Sequence, residues 1–240
     1  MSLDRRQLLL SVAAAGLAGT VPAVDAFAAP APGDAALNSY FDGLSNEILD
    51  NSPEMATYLG LDTGAHAARK SRFSDASWAH VEHDRVWCRE NLAKLAKLPE
   101  AGLSPAARLN KAVVVYAMEL GRDAAPFDYG DNTLTSAMSE SATPYVVSQQ
   151  GGAYSAGPEF LDSAHKVETA ADAEAYLARV HEIGRVMGEE TDRIRRDAGK
   201  GVIAPDFILS NAIGQQEGIL AVPAAQARLQ VARLYLLLLN

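Results

Sequence analysis

Apolar residues recur every three or four positions along most of the chain beyond residue 33. This spacing places them on one face of an α-helix. The first such stretch, from Asp34 to Asp50, has its apolar positions at Leu37, Tyr40, Phe41, Leu44, Ile48 and Leu49. No stretch shows the sustained two-residue alternation that is typical of a half-buried strand. The pattern therefore predicts an all-α fold, built as a multi-helix array.

Residues that accept hydrogen bonds from free backbone N–H groups mark the expected helix starts. Ser52 and Ser104 each precede a proline, which is favoured in the first turn of a helix. Thr169 with Asp172 is typical of a capping box. Ser74 is expected to open another helix. These positions divide the chain into helices of ordinary length.

Two of the predicted helices carry long apolar faces. After Ser104, the residues that share a face by their spacing are Leu109, Val113, Tyr116 and Leu120. Between Thr169 and about Ala198, the positions expected to be buried are Tyr176, Leu177, Val180, Ile183, Met187 and Ile194. Pro205 is expected to begin a further helix, and Pro223 separates it from a final segment that ends at Leu239.

The segment from Pro126 to Gly157 lacks this periodicity and is rich in glycine. A long loop inside a compact domain is usually functional or flexible. Its polar side chains next to glycines can hydrogen-bond a peptide or a sugar, and the residues expected to bind substrate are Tyr145, Ser148, Gln149 and Gly151. The alternative interpretation is an ordinary connection between two helices.

The first 28 residues have the layout of an export signal. Arg5-Arg6 precede a short apolar run diluted by glycine and alanine, and Ala26-Phe27-Ala28 is a small-x-small cleavage site. The paired arginines favour the twin-arginine route over the general secretory route. Residues 29–36 are then a linker and 37–240 a helical domain, which we expect to be periplasmic or secreted. The apolar run is too short for a stable membrane span.

Composition narrows the function classes. The formal charge is −9, and there is no cluster of lysine and arginine, so the chain is not expected to bind nucleic acid. Cys88 is the single cysteine, which excludes a disulfide within the chain. It falls on the apolar stripe of its helix, which favours a place in the core over a role as nucleophile.

The sequence offers no complete catalytic motif. His80 and His83 lie three apart on one helix, but a catalytic zinc usually needs a third protein ligand. His181-Glu182-Ile183-Gly184-Arg185 is similar to H-E-x-x-H, yet an arginine cannot bind zinc. This match and the charged stretch from Glu189 to Arg196 are interpreted as exposed helix faces. We expect no catalytic residue, no metal site and no cofactor in this chain.

The last residues are unusually apolar. Five leucines cluster between Leu234 and Leu239, and exposing them would forgo on the order of 10 kcal/mol. We expect this tail to dock on the rest of the chain, on an oligomer partner, or on a missing C-terminal half. A simple closing of the core and a truncated or altered C-terminus remain equal alternatives.

Five short motifs occur in order between about residues 37 and 220. They are NSPEMATYLG at 51–60, LSPAARL at 103–109, YVVSQQG at 145–151, TAADAEAYLAR at 169–179 and GKGVIAP at 199–205. Together they resemble the N-terminal part of the bacterial domain-of-unknown-function 885 family. Val146 departs from the family pattern, which has a proline there.

The resemblance implies a larger, all-helical and often exported protein, related to zinc carboxypeptidases and oligopeptidases. Its metal-binding helix belongs to a C-terminal half, so zinc and a peptide substrate are expectations for the complete protein. The first hypothesis is therefore the non-metal-binding portion of such a peptidase, inactive alone. The second is a stand-alone exported binding protein without catalysis. The third is a metal-binding protein that uses His80 and His83.

Overall fold

The computed structural model describes residues 31–132 and 142–221. Within these ranges the chain forms α1 (Asp34–Asn51), α2 (Pro53–Tyr58), a 3-10 helix (Gly64–Ser71), α3 (Trp78–Lys97), α4 (Pro105–Ala124), α5 (Ala153–Ser163), α6 (Ala170–Ala198) and α7 (Asp206–Leu220). The described residues contain only isolated β-bridges besides these helices. The predicted all-α fold is confirmed.

Local capping chemistry explains several of the helix starts. The Ser104 hydroxyl accepts a hydrogen bond from the Ala107 N–H at the start of α4. Thr169 and Asp172 form both bonds of a capping box at the start of α6, as the sequence predicts. Ser52 is the N-cap residue of α2 and Pro53 begins the helix, as predicted, but the Ser52 side chain makes no capping hydrogen bond.

Helix α3 begins later than expected. Its N-cap is Ser77 and not Ser74, and the Ser77 hydroxyl accepts from the His80 N–H. Ser74 instead gives its backbone N–H and its hydroxyl to the Glu54 carboxylate. The Ala76 N–H donates to Glu189, which lies on α6. Bonds to other elements thus hold residues 72–76 outside the helix.

One hydrophobic core lies between α1, α3 and α4. Its most buried members include Leu37, Leu44, Cys88, Leu95 and Met118. The Cys88 thiol is 2% exposed and donates to the Met118 carbonyl at 3.0 Å, and its burial raises the thiol pKa. The prediction that Cys88 belongs to the core is confirmed.

The face of helix α4 that packs on this core is opposite to the face that the sequence predicted to be buried. The predicted stripe is largely exposed, with Leu109 at 53%, Val113 at 37% and Tyr116 at 57%. The buried positions of α4 are Ala107, Lys111, Met118 and Gly121. Two of these residues, Ala107 and Gly121, are small, and the Lys111 ammonium donates to the Leu98 carbonyl at 2.8 Å. The apolar spacing alone therefore does not identify the buried face of α4.

A second core joins α5 and α6 to Phe73. Its buried members include Phe160, Leu161, Val167 and Tyr176. The predicted loop is shorter at its end than expected, because α5 already begins at Ala153 and includes Gly157. A Cβ on Gly157 would lie 2.8 Å from Ile183, so this glycine lets α5 pack tightly on α6.

Two positions of α6 that were expected to be buried are exposed, Leu177 at 38% and Ile194 at 41%. Arginines take the inward positions near them. Arg179 is fully buried, and Arg193 is 4% exposed. Arg179 donates to the backbone carbonyls of Arg69 and Arg72 at 3.1 and 3.0 Å. These bonds join α6 to the N-terminal half of the fold.

Helix α7 is apolar but poorly covered, with Phe207 at 64%, Ile213 at 53% and Leu220 at 84% exposure. None of the described helices is long and apolar enough to cross a lipid bilayer. The export signal at 1–28 and the segment from Ala224 to Leu239 lie outside the described residues. Of the expected linker, residues 34–36 form the first turn of α1.

Candidate functional site

The long loop between α4 and α5 is fixed at both ends by side chains of α6. The Asp197 carboxylate accepts from the Gly130 N–H at 2.8 Å, and Arg193 donates to the Gly130 carbonyl at 2.7 Å. One helical turn earlier, the Glu190 carboxylate accepts from the Ala153 N–H at 2.9 and 3.1 Å. The interpretation of this stretch of α6 as a solvated face is therefore wrong, because its inward side anchors the loop.

Two glycines give the loop its path. Gly130 has a φ of +69°, and a Cβ there would lie 2.4 Å from the Thr143 carbonyl oxygen. An antiparallel bridge pairs Asp131 with Thr143 directly beside it. Gly152 has a φ of +134° and precedes α5. Side chains are strained in this left-handed region, so both positions favour glycine.

The predicted substrate-binding residues come together in one tight turn. Ser148 and Gly151 form a bridge, in which the Ser148 N–H donates to the Gly151 carbonyl at 2.9 Å. The Ser148 hydroxyl accepts from the Gln150 N–H at 3.1 Å. Tyr145, at the start of the turn, is half-buried. Gly151 has open space around it, so its absent side chain leaves the backbone accessible.

The Gln149 amide oxygen is the unusual group in this turn. It is buried from solvent and has no hydrogen-bond donor among the described residues. A buried acceptor without a partner costs about 1–3 kcal/mol. Such a group needs an explanation, and a ligand that brings a donor is one.

Tyr154 and Gln215 belong to the same site and were not predicted. The Tyr154 hydroxyl lies 2.9 Å from the Ser148 carbonyl oxygen and 2.5 Å from the Gln215 amide oxygen. A phenol has one proton, so it donates to only one of these two oxygens. Both contacts are satisfied if the Gln215 amide is flipped, because its NH₂ then donates to the phenol oxygen while the phenol donates to Ser148. Helix α7 is thereby linked to the loop. No local motif marks Gln215, because α7 comes about 60 residues later in the chain.

A cleft of about 390 Å³ opens beside this link, lined by Tyr154, Ser155, Gln215, Gly218 and Ile219. We call these residues, together with the turn 145–152, the loop cleft. Burial raises the pKa of Tyr154, with a contribution from the Glu190 charge, so the phenol stays protonated. The loop cleft therefore offers neutral donors and acceptors, which suit binding by hydrogen bonds.

Glu190 is the titratable group behind the loop. Burial raises its pKa to about 7, although the Ala153 N–H and Arg193 favour its charged form. Strongly shifted carboxyl groups concentrate at functional sites, but they also occur in structural networks. Here the bonds to the Ala153 N–H place Glu190 at the N-terminus of α5, so its role is to hold the turn.

The H-E-x-x-R segment is a structural ion pair. Arg185 binds Glu182 at 2.8 Å and Glu189 at 2.7 Å and also donates to the carbonyls of Phe73 and Ser74 at 3.2 Å. The expectation of an exposed face is wrong for Glu182 and Arg185, which are half-buried. They border a polar cavity of about 350 Å³, lined by Asn51, Arg72, Phe73, Asp75, His80, Glu182, Arg185 and Glu189.

His80 and His83 lie on the same side of α3, as their spacing predicts, and Asp84 joins them. Asp84 follows His83 directly in the chain but was not among the predicted ligands. It is the third group with a possible metal-ligand atom in this cluster.

Comparison with known proteins places the chain in a family. Neither a curated protein nor a solved structure shows significant similarity to it. The model of one family, described as bacterial protein of unknown function (DUF885), matches residues 53–235. This range covers more than half of the chain and includes four of the five motifs of the resemblance in full. The chain is therefore a member of the DUF885 family of bacterial proteins.

Proposed function

We propose that this chain is the helical portion of an exported peptidase-like protein that does not hold the catalytic zinc, and that its loop cleft contacts the peptide substrate. The single observation that carries the proposal is the buried, unpaired amide oxygen of Gln149. It lies in the turn that the sequence singles out for binding. Once the Gln149 side chain turns outward from its buried position, a peptide N–H would give this oxygen the donor that it lacks among the described residues.

The rest of the loop cleft suits an extended peptide. Gly151 presents backbone without a side chain, so a second backbone can approach it closely. Ile219 and Gly218 provide an apolar wall with room for a side chain, while Gln215 supplies an amide near it. Pockets of this type combine apolar walls with a few placed polar groups.

Catalysis is assigned to a part of the protein outside this chain. In a complete protein, zinc held by a C-terminal half would polarise the scissile carbonyl and activate water. The uncovered apolar residues of α4 and α7 support packing against such a half, because large exposed apolar faces mark interaction surfaces. Alone, the chain is expected to bind peptide and to release no product.

Export is proposed from the first 28 residues. Replacing Arg5 and Arg6 with lysine is expected to stop translocation by the twin-arginine route, measured by fractionation of cells that express the chain. Export of the lysine variant at the original rate would contradict this route.

Peptide binding is tested by selection from a random dodecapeptide phage library on the immobilised full chain. We expect enrichment of peptides whose binding falls at least tenfold in Gln149→Leu and Gln215→Leu, because both changes remove a hydrogen-bonding amide. Gln216→Leu is the matched control, since Gln216 donates to the Ala212 carbonyl of its own helix and does not line the cleft. Equal binding by all variants would reject the loop cleft.

A second measurement tests the lack of catalysis. The purified chain, with and without added zinc, is incubated with the enriched peptides, and cleavage is followed by mass spectrometry. We expect intact peptides in both samples. Turnover that depends on residues of this chain would overturn the assignment of catalysis to another part of the protein.

A further inference from the structure

A cluster of two imidazoles and one carboxylate lies on α3, outside the loop cleft. His80 Nε2 is 3.4 Å from Asp84 Oδ2, and His83 Nδ1 is 3.7 Å from Asp84 Oδ1. We propose that His80, His83 and Asp84 bind one first-row divalent cation, with zinc as the reference metal. The proposal uses none of the residues of the loop cleft and does not depend on the proposed function.

Helix geometry brings the three groups together. Residues three and four apart share a face, which places His80 beside both His83 and Asp84. The two imidazole rings lie nearly parallel, with centroids 6.1 Å apart and an interplanar angle of 16°. The three ligand atoms lie within 4.8 Å of one another.

Only small movements are needed to complete a metal site. Zinc binds nitrogen and oxygen ligands at about 2.0–2.2 Å, so neighbouring ligand atoms in a tetrahedral site are about 3.3 Å apart. The His83 side chain is 64% exposed and is free to turn toward the other two groups. The His80 and Asp84 side chains, at 17% and 12% exposure, form the fixed part of the site.

The negative charge of the Asp84 carboxylate favours binding of a cation at this site. No lysine or arginine of the described residues forms an ion pair with this carboxylate, whose ion-pair partners are the two imidazoles. A divalent cation would supply the missing positive charge.

The neighbouring cavity leaves room for the remaining coordination positions. His80 lines the polar cavity of about 350 Å³ together with Asp75. The two glutamates of that cavity are held by Arg185, so they do not compete for the metal. Three protein ligands with an open fourth position are typical of zinc sites that bind water or a small ligand. Two imidazoles and a carboxylate also suit cobalt, nickel and copper.

The test measures metal binding to the tag-free full chain. Zinc is titrated against a chromophoric chelator, and cobalt is added separately to record its visible d–d absorption. We expect one equivalent of metal and a cobalt spectrum typical of a protein site with nitrogen and oxygen ligands. Zinc is also expected to raise the thermal unfolding midpoint, since a ligand that binds the folded state stabilises it.

Variants then locate the site. His83→Ala and Asp84→Asn are each expected to weaken zinc binding at least tenfold and to remove the cobalt spectrum. His181→Ala is the matched control, because His181 is an exposed helical histidine outside the cluster. Circular dichroism of each variant confirms that the helices are intact. Absence of stoichiometric binding, or binding that is unchanged in both cluster variants, would overturn the proposal.

Discussion

At the residue scale, the fold depends on buried arginines that donate to backbone carbonyls. Arg179 is fully buried, donates to two carbonyls of residues 69–72 and bonds to Thr57 and His165. Its guanidinium also lies over the Phe160 ring, 4.8 Å from the centroid. Burial lowers its pKa to about 10, which still leaves it charged at neutral pH. Sequence patterns place such residues on the surface, so this network could not be predicted.

Arg179→Ala should destabilise the protein by about 3–5 kcal/mol, because it leaves several buried acceptors without donors. Urea denaturation followed by circular dichroism measures the change. Arg195→Ala on the same helix is the control, since the Arg195 side chain is 75% exposed and its ion pair contributes little. Similar losses for the two variants would contradict the role given to Arg179.

Two groups, the buried His165 and the half-buried Glu190, make the free energy of unfolding depend on pH in opposite directions. The Asp172 backbone carbonyl can only accept a hydrogen bond, so His165 Nε2 carries the proton that it donates to this carbonyl. His165 Nδ1 is then unprotonated and accepts a hydrogen bond from Arg179. This arrangement needs a neutral ring, and burial with the Arg179 charge lowers the His165 pKa from 6.5 to about 4. Glu190 behaves in the opposite way, since burial raises its pKa from 4.5 to about 7.

The direction of each pH dependence follows from whether the folded or the unfolded chain binds the proton more tightly. Below pH 6.5 the unfolded chain protonates His165 and the folded chain does not, so stability is lost as the pH falls toward 4, by roughly 3 kcal/mol in total. For Glu190 the folded chain keeps the proton to a higher pH than the unfolded chain does, so stability is lost as the pH rises from 4.5 to about 7.

Denaturation curves at several pH values test both assignments. The stability of the wild type minus that of His165→Asn should rise with pH between about 4 and 6.5. The stability of the wild type minus that of Glu190→Gln should fall between pH 4.5 and about 7. Difference curves that are flat, or that have the same sign, would rule out these proton-binding assignments.

At the element scale, locally encoded features were predictable and those set by other elements were not. Ser104 and Thr169 cap their helices as expected, because capping involves only the next three residues. Ser74 fails as a cap because Glu54 takes its hydrogen bonds. The exposed face of α4 was also missed, since periodicity shows that a face exists but not which face meets the core. In the candidate site, the residues of the turn at 145–151 are close in sequence, so their proximity was predictable, whereas Gln215 comes from a distant helix.

The backbone conformation of the loop between α4 and α5 requires a glycine at position 130. Gly130→Ala should destabilise the protein by about 2 kcal/mol or more, because it combines a left-handed φ with a contact between the new Cβ and the Thr143 carbonyl. Gly151→Ala is the matched control, since a Cβ added there would have no atom within 4 Å beyond its neighbours in the chain. Thermal unfolding of both variants measures the effect, and equal midpoints would contradict it.

At the scale of the whole molecule, the described residues form two cores and leave apolar faces uncovered. The exposed face of α4 carries Leu109, Val113 and Tyr116, and α7 adds Phe207 and Ile213. In the proposed complete protein a further helical body covers these faces. In the alternative, a stand-alone binding protein, the faces belong to a monomer that unfolds cooperatively.

The uncovered faces should make the isolated chain self-associate. Val113→Lys with Tyr116→Lys is expected to reduce association in analytical ultracentrifugation while changing the free energy of unfolding by about 0.5 kcal/mol or less. Met118→Lys is the opposite control, because Met118 is fully buried and its replacement should unfold the chain. A wild type that stays monomeric at high concentration would favour the stand-alone protein.

The most direct test of the central claim is hydrogen exchange of the full chain with and without a tryptic digest of casein, read by mass spectrometry. Peptide bound in the loop cleft should slow exchange of the amides in 145–155 and near Gln215, and leave α3 unchanged. The protection should disappear in Gln149→Leu. No protection, or protection of the same size in that variant, would contradict a peptide-binding role for the loop cleft.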